Sequence, residues 1–279
     1  MAVVPRPAAT VVLLRDGPDG LEAYLQLRPL GMGFAGGLWV FPGGRVDAAD
    51  RDPGIDERWA GPPPAVWAER LGLPVDEARG HVVAACRETL EEAGLLLATP
   101  TPGAEELAEG RRELLGGSGG ADASQGLDGS RHRLAGSGGL AGLLARLGVR
   151  LDAGRLRYWA WWVTPEEEPR RYDTRFFLAE TLAGAAVTAH LAEAERERWV
   201  PPAEAAADLG LPMLPPTRYT LRDLAAYTSV DEALAATAGR RVERILPVLD
   251  GADLVMPWGE RYPVPVPLPE PGGTEEPVP

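Results

Sequence analysis

The sequence predicts an α/β fold, and two observations predict it. Short β-prone apolar runs bounded by turn formers occur near both ends of the first 200 residues, and between them lies a long segment of helical periodicity closed by a glycine. A single amphipathic helix flanked by strands buries its apolar stripe only by packing on a sheet, so the expected architecture is layered.

The elements follow in chain order. Thr10 to Leu14 and Leu21 to Leu27 are strand-like and separated by Asp16-Gly17-Pro18-Asp19-Gly20, which predicts a hairpin. After the glycine-rich run Gly31 to Gly37 comes the short strand Leu38 to Phe41, stopped by Pro42-Gly43-Gly44, where paired glycines let the backbone approach a ligand. Residues 51 to 74 carry many prolines and predict an inserted loop with one short helix, Ala65 to Leu71. From Asp76 to Ala93, Val82, Val83, Ala85, Cys86, Leu90 and Ala93 share one helical face, Arg87, Glu88, Glu91 and Glu92 fill the other, and Gly94 stops the helix.

Beyond it, Leu95 to Leu97 predict a buried strand, Glu105 to Leu115 a short helix, and Gly116 to Gly139 a flexible insertion. Leu140 to Leu147 predict a helix. Arg157 to Val163 and Arg175 to Ala179 predict strands flanking the polar loop Thr164 to Asp173, and Glu195 to Val200 a further strand. Helices are expected at Pro202 to Leu209, Thr220 to Thr228 and Val230 to Ala238, and the stretch from Pro257 to Pro279 reads as extended or disordered. The domain division expected is 1–208 as the main domain with insertions near 51–75 and 101–155, 209–250 as a helical extension and 251–279 as a proline-rich tail.

Bulk properties bound the function. With 279 residues and 45% hydrophobic content the chain can bury a sizeable core. A formal charge of -13 argues against a broad nucleic-acid or anionic-membrane surface, so an anionic ligand must be held locally, and every basic side chain is arginine. The lone Cys86 excludes an intrachain disulfide, and no run reaches the roughly 20 apolar residues of a membrane span, which fits a cytoplasmic location.

Glu88, Glu91 and Glu92 stand at i, i+3 and i+4, presenting three carboxylates within one turn. Such crowding is relieved by solvation, by a raised pKa or by a hard cation such as Mg²⁺ or Mn²⁺. Arg87 can reach Glu91 one turn on and orient it. Alone, the string would most often be a solvated face; the preceding strand ending in Phe41-Pro42-Gly43-Gly44 and the closing Gly94-Leu95 change its weight.

Gly44, followed at a distance by Arg87-Glu88-Thr89-Leu90-Glu91-Glu92-Ala93-Gly94-Leu95, resembles the Nudix box G-x5-E-x7-R-E-U-x-E-E-x-G-U, where U is a bulky aliphatic residue. Thr89 replaces one aliphatic position. The spacing departs further: Gly44 and Arg87 are 43 positions apart where the pattern has 14, and Asp50 falls where the first glutamate belongs. A long insertion inside the box, with Arg170-Arg171-Tyr172-Asp173-Thr174-Arg175-Phe176-Phe177 and Trp199-Val200-Pro201-Pro202 in the same order, resembles the coenzyme A diphosphatase branch.

The resemblance implies a Nudix α/β/α sandwich around a mixed sheet, with helical insertions and a C-terminal helical extension. It implies metal-dependent hydrolysis of a diphosphate linkage in a nucleotide derivative such as coenzyme A or acyl-coenzyme A. ADP-ribose, NADH and nucleoside triphosphates stay open as substrates, as does a catalytically silent nucleotide-binding module. It implies Glu88 and Glu92 as main ligands of Mg²⁺ or Mn²⁺, with Glu91 and the Gly44 carbonyl as further ligands, and Glu91, Glu88 and Arg87 as the catalytic group. The proton acceptor is Glu91 or a downstream acid among Glu193, Glu195 and Glu197.

For phosphate holding, Arg28, Arg45, Arg170, Arg171 and Arg175 are candidates, with Arg28 and Arg175 preferred. Tyr158, Trp159, Trp161 and Trp162 alternate along a strand and read as core rather than a base-stacking platform. Cys86 reads as a small buried residue, and His81, His132 and His190 share no ligand spacing. The expected partner is a small nucleotide diphosphate, with no nucleic acid and no membrane; a homodimer is left open.

Overall fold

The computed structural model describes residues 3–32, 34–116, 139–181, 187 and 194–265. The predicted hairpin is present and longer than expected: β1 (Arg6–Gly17) and β2 (Gly20–Leu27) pair antiparallel from Leu14↔Ala23 to Gly17↔Gly20. Gly20 closes the turn at φ +119°, a conformation that glycine adopts without steric cost. β3 (Trp39–Val40) and β4 (Gly43–Arg45) are short pieces that pair with β2 and β1 respectively.

Residues 51–74 differ from a bare loop. Two 3-10 turns, Ala48–Arg51 and Pro53–Arg58, lead to β5 (Trp59–Ala60) and α1 (Pro64–Leu71), and α2 follows at Val75–Ala93. Leu95 to Leu97 are buried but not a strand; they lead into β6 (Ala98–Thr99), and α3 (Ala104–Gly116) comes next. The expected flexible insertion lies almost wholly at 117–138, outside the described residues. After α4 (Gly139–Arg146), β7 (Arg150–Asp152) takes β5 on one side and β6 on the other, so a small separate sheet ties the insertion to the segment after α2.

The main sheet is completed by β8 (Arg157–Val163), β9 (Tyr172–Glu180) and β10 (Arg196–Val200). Helices α5 (Pro202–Ala207), α6 (Pro215–Leu224) and α7 (Val230–Ala235) precede β11 (Arg244–Ile245). The order is β10-β2-β1-β9-β8-β11, with β1 and β9 parallel and the neighbouring pairs β1–β2, β2–β10 and β8–β9 antiparallel, so the sheet is mixed as expected.

β1 is buried on both sides. Val11 and Leu13 pack with Val82, Val83, Leu90 and Trp67 of α2 and α1, while Val12 and Leu14 pack with Tyr219, Leu221 and Leu224 of α6 and with Trp159 and Trp162. A strand buried on both faces reads as a continuous apolar run, and the result is an α/β/α sandwich.

Two C-terminal expectations are corrected. α6 begins at Pro215 rather than Thr220, because Pro215-Pro216 fit the first turn of a helix, where an N–H is dispensable. The start of the expected tail is folded: β12 (Val248–Asp250), β13 (Asp253–Val255) and β14 (Arg261–Pro263) form an antiparallel meander. Its Leu254 and Met256 are buried in the core on the α6 side. Among the described residues, no helix is long and apolar enough to cross a membrane.

Candidate active site

The site forms where β4 runs under the last two turns of α2. Gly43 and Gly44 pair with Thr10 and Ala9 of β1, and neither position has room for a side chain. A Cβ on Gly43 would lie 2.5 Å from the Ala9 carbonyl oxygen, and one on Gly44 would fall on the Glu88 carboxylate. The two glycines thus let backbone approach a helix face lined with acids.

α2 ends as predicted. Gly94 is left-handed at φ 71°, its N–H bonds the Leu90 carbonyl at 3.0 Å, and the Leu95 N–H bonds that of Thr89 at 3.4 Å. Arg111 of α3 adds a cap from outside, donating to the Glu91 carbonyl at 2.9 Å and the Glu92 carbonyl at 3.2 Å. A guanidinium at a helix C-terminus also meets the negative end of the dipole.

Glu92 is gripped by the sheet. Its Oε2 accepts from the Gly43 N–H at 2.9 Å and from Gln26 Nε2 at 2.6 Å, and the Arg28 guanidinium stands 3.7 Å from Oε1. Arg87 organises the other acids. It donates to Glu88 at 2.7 Å and to Glu91 at 3.4 Å, the expected one-turn contact. Its remaining donors reach the Arg45 carbonyl at 2.9 Å and both oxygens of Asp50 at 3.0 and 2.9 Å. Asp50 is 1% exposed and also accepts the Asp47 N–H at 2.8 Å, which fixes the 3-10 turn that carries it. The Gly44–Arg87 gap therefore does not disperse the pattern: Asp50, six residues after Gly44, meets Arg87 directly.

Burial alone would weaken the Arg87 charge, but Glu88, Asp50 and Glu91 outweigh it, and its pKa is held well above the usual arginine value. Arg87 is a fixed cation that shares its charge among three carboxylates. Among the described residues no three acidic, histidine or cysteine side chains already form a cation cage. The donor set is nonetheless the kind a hard cation takes: carboxylate oxygens from one helical turn, facing a glycine backbone.

The other candidates separate. Arg28 belongs to the site through Glu92. Arg45 contributes its backbone to Arg87. Arg175 does not stand ready for a phosphate: it is 1% exposed, bonded to Asp173 and stacked 3.8 Å from the Trp161 ring centre. Arg171 is a latch, donating to the Val3 and Thr164 carbonyls, and Arg170 lies exposed beside it in the β8–β9 loop.

Of the downstream acids, Glu193 lies outside the described residues, and Glu195 sits exposed just before β10. Glu197 is opposite Gln26 in the β10–β2 register and accepts the Tyr24 hydroxyl at 2.8 Å. Burial, then the hydrogen bond to Glu197 and its charge, pushes the Tyr24 pKa up, so the phenol stays a donor.

Trp159 and Trp162 are buried in the core, as the strand pattern predicts. Cys86 is buried too, and its thiol pKa is pushed up by burial, which keeps it unreactive. His81 Nδ1 lies 2.8 Å from the Glu77 carbonyl and away from the acids; His132 and His190 fall outside the described residues. Sequence reasoning missed Gln26, Tyr24 and Arg111. Gln26 alone left a trace, as the one amide in an otherwise apolar strand end, where a buried polar group needs a partner.

Comparison with known proteins shows the family. The profile of the NUDT19 Nudix domain matches residues 6–224. The human protein named acyl-coenzyme A diphosphatase NUDT19 is 30% identical over 295 residues, covering 92% of this chain and 76% of the human one. The protein of that name from Gallus gallus is 29% identical, covering 88% and 74%. The crystal structure of a NUDIX hydrolase from Alicyclobacillus acidocaldarius superposes with a TM-score of 0.63 at 27% identity, covering 84% of this chain and 96% of that one.

Proposed function

This chain belongs to the Nudix hydrolase family, in the group of the NUDT19 Nudix domain, and from that premise we propose that it hydrolyses the diphosphate of coenzyme A or an acyl-coenzyme A with a bound divalent cation. The observation that carries the reading is the closed set Asp50–Arg87–Glu88–Glu91 beside Glu92 on Gly43, reassembled across a long insertion in the box. A binding module has no use for three acids crowded at such electrostatic cost.

Glu88, Glu92 and Glu91, with the Gly44 carbonyl, would hold Mg²⁺ or Mn²⁺. Such an ion, when bound, offsets charge on the nonbridging phosphate oxygens and makes its water more acidic. The protein's own groups do the rest. Gln26 and the Gly43 N–H fix the Glu92 carboxylate, and Arg87 fixes Glu88 and Glu91. Arg28, next to Glu92, is the arginine placed to grip a phosphate oxygen. Glu91 and Glu197 are the two carboxylates assigned to accept the proton of the attacking water, and Tyr24 orients Glu197.

The test is turnover of coenzyme A, acyl-coenzyme A, ADP-ribose, NADH and nucleoside triphosphates with Mg²⁺ or Mn²⁺, with Glu92→Gln as control. Coenzyme A derivatives are expected to give the highest kcat/KM. Strong preference for ADP-ribose would replace the substrate and leave the family untouched; no turnover of any member by folded, metal-supplemented protein would make this a nucleotide-binding module.

A further inference from the structure

A cavity of about 780 Å³ opens beside Glu197 at the β10 edge, lined by Trp39, Glu195, Arg196, Glu197, Arg198, Asp208, Gly210 and Leu211. Its volume lies within the range of small-molecule sites. β10 ends the sheet order, so one side of the strand is open. Side chains alternate along a strand, and Arg196 and Arg198 stand opposite Leu27 and Leu25, which belong to the core that also holds Trp39. Glu197 belongs by alternation to the other face, where Tyr24 holds it, and the Asp208 carboxylate is taken by the Gly210 N–H at 2.8 Å.

Two arginines give this cavity its anion-binding character, against the acids Glu195, Glu197 and Asp208 in the same lining. Among the described residues, neither Arg196 nor Arg198 has an ion-pair partner, and Arg198 leans over the Trp39 ring at 5.3 Å from its centre. Trp39 is 3% exposed, and its buried indole N–H has no hydrogen-bond partner. That N–H is shielded from the cavity as well as from water, so Trp39 serves as the surface under Arg198 rather than as a donor. Two guanidiniums two residues apart on one face match the charge of a phosphate dianion.

We propose that this cavity binds a phosphate monoester carried on the nucleotide half of the substrate, with Arg196 and Arg198 as specificity-determining residues. The inference rests on the hydrolase reading for the identity of the substrate, and it adds a discrimination that the acid cluster cannot supply. Glu197 lines the cavity and stands opposite Gln26, which bonds Glu92. The arginines therefore lie on the α6 side of the sheet and the acids on the α2 side, and a nucleotide reaches both by crossing the open edge of β10.

The test compares binding of adenosine 3′,5′-bisphosphate and adenosine 5′-monophosphate by titration calorimetry, for the wild type, Arg198→Lys and the double variant Arg196→Gln/Arg198→Gln. The wild type is expected to prefer the bisphosphate by about tenfold or more, the preference falling as salt rises. Arg198→Lys, which keeps the charge and loses the fork, should retain part of it, and the double variant should lose it while its Tm stays near that of the wild type. Equal wild-type affinities, no binding of either nucleotide, or an undiminished preference in the double variant overturns the proposal.

A second arm measures turnover of coenzyme A against its 3′-dephospho form, where the preference should appear in KM rather than kcat. If neither is hydrolysed but the binding preference persists, the hydrolase reading fails and the cavity assignment stands. If both are hydrolysed with equal kcat/KM and binding shows no preference, the cavity assignment fails and the hydrolase stands.

Discussion

The two halves of α2 are buried under one sheet by opposite means. From Val75 to Cys86 the helix contributes Ala78, Val82, Val83, Ala85 and Cys86 to an apolar core, and its one buried charge, Arg79, is paired with Asp56 at the rim. From Arg87 to Ala93 it also buries Leu90 and Ala93, but Arg87, Glu91 and Glu92 go with them at 3, 7 and 3% exposure. Apolar burial stabilises by removing surface from water, whereas buried charge at best offsets its own desolvation through well-placed partners. The difference teaches that the first half is held mainly by apolar burial and the second by charge pairing, and on the proposed reading the second half carries the chemistry. The second half holds its charges only because β2, β4 and the turn at Ala48–Arg51 supply Gln26, Gly43 and Asp50.

The sharpest way to break this comparison is Glu92→Gln. If the second half is kept for chemistry, kcat should fall by roughly a thousandfold or more, equivalent to about 4 kcal/mol, while urea unfolding shows no loss of stability. A large loss of stability with a proportionate loss of activity would make Glu92 a structural residue. Asp50→Asn comes next, since it leaves the buried Arg87 guanidinium with one of its three carboxylate partners neutralised. About 3 kcal/mol of stability should be lost by chemical denaturation, and kcat should fall because Glu88 and Glu91 lose a fixed orienting group. Asp50→Glu keeps the charge and should recover part of both.

Val82→Ala probes the other half. Removing two buried methyl-sized groups should cost about 2 kcal/mol, and kcat per folded molecule should stay at the wild-type value. A fall in kcat there would show that the helix cannot be divided.

The same division explains what the sequence could reveal. The expected α2, Asp76 to Ala93, differs from the observed Val75–Ala93 by one residue, because a helical period and a glycine stop are local signals. Phe41-Pro42-Gly43-Gly44 and Arg87 to Gly94 were legible for the same reason. The partners that hold the charges were not. Gln26 is 66 residues from Glu92 and Tyr24 is 173 from Glu197, and such pairs exist only once the strands have paired. Asp50 was found only through its offset from Gly44, and its bond to Arg87 spans 37 residues. Arg175 misled because an arginine on a strand carries no sign of whether its fork will face a ligand or Asp173. The meander at 248–263 was hidden by proline, which sits in the loop after β13 as Pro257 and at the end of the edge strand β14 as Pro263, positions where a missing N–H costs little.

The smallest expected effect concerns His81, the side chain of the apolar first half whose charge responds near neutral pH. Burial lowers its pKa, the Glu77 carbonyl at Nδ1 opposes that shift, and Arg175 adds to it, with Asp173 and the Glu77 charge acting the other way. Its Nε2 is buried without a partner, so the neutral ring is the form that fits. Protonation is thus favoured in the unfolded chain, whose value is about 6.5. Above that pH neither state carries the proton and His81 costs nothing. As pH falls from there towards the folded pKa, the unfolded chain takes up a proton that the folded one refuses, and stability is lost by at most about 1.4 kcal/mol per pH unit. Titrating carboxylates add their own slope, so the quantity to measure is the difference in urea midpoint between the wild type and His81→Gln at each pH. The difference should be constant above neutrality and shift against the wild type as the solution is acidified. A difference that stays constant through that window would mean His81 is protonated as readily in the fold as in water, and the first half of α2 would then hold a second buried charge besides the paired Arg79.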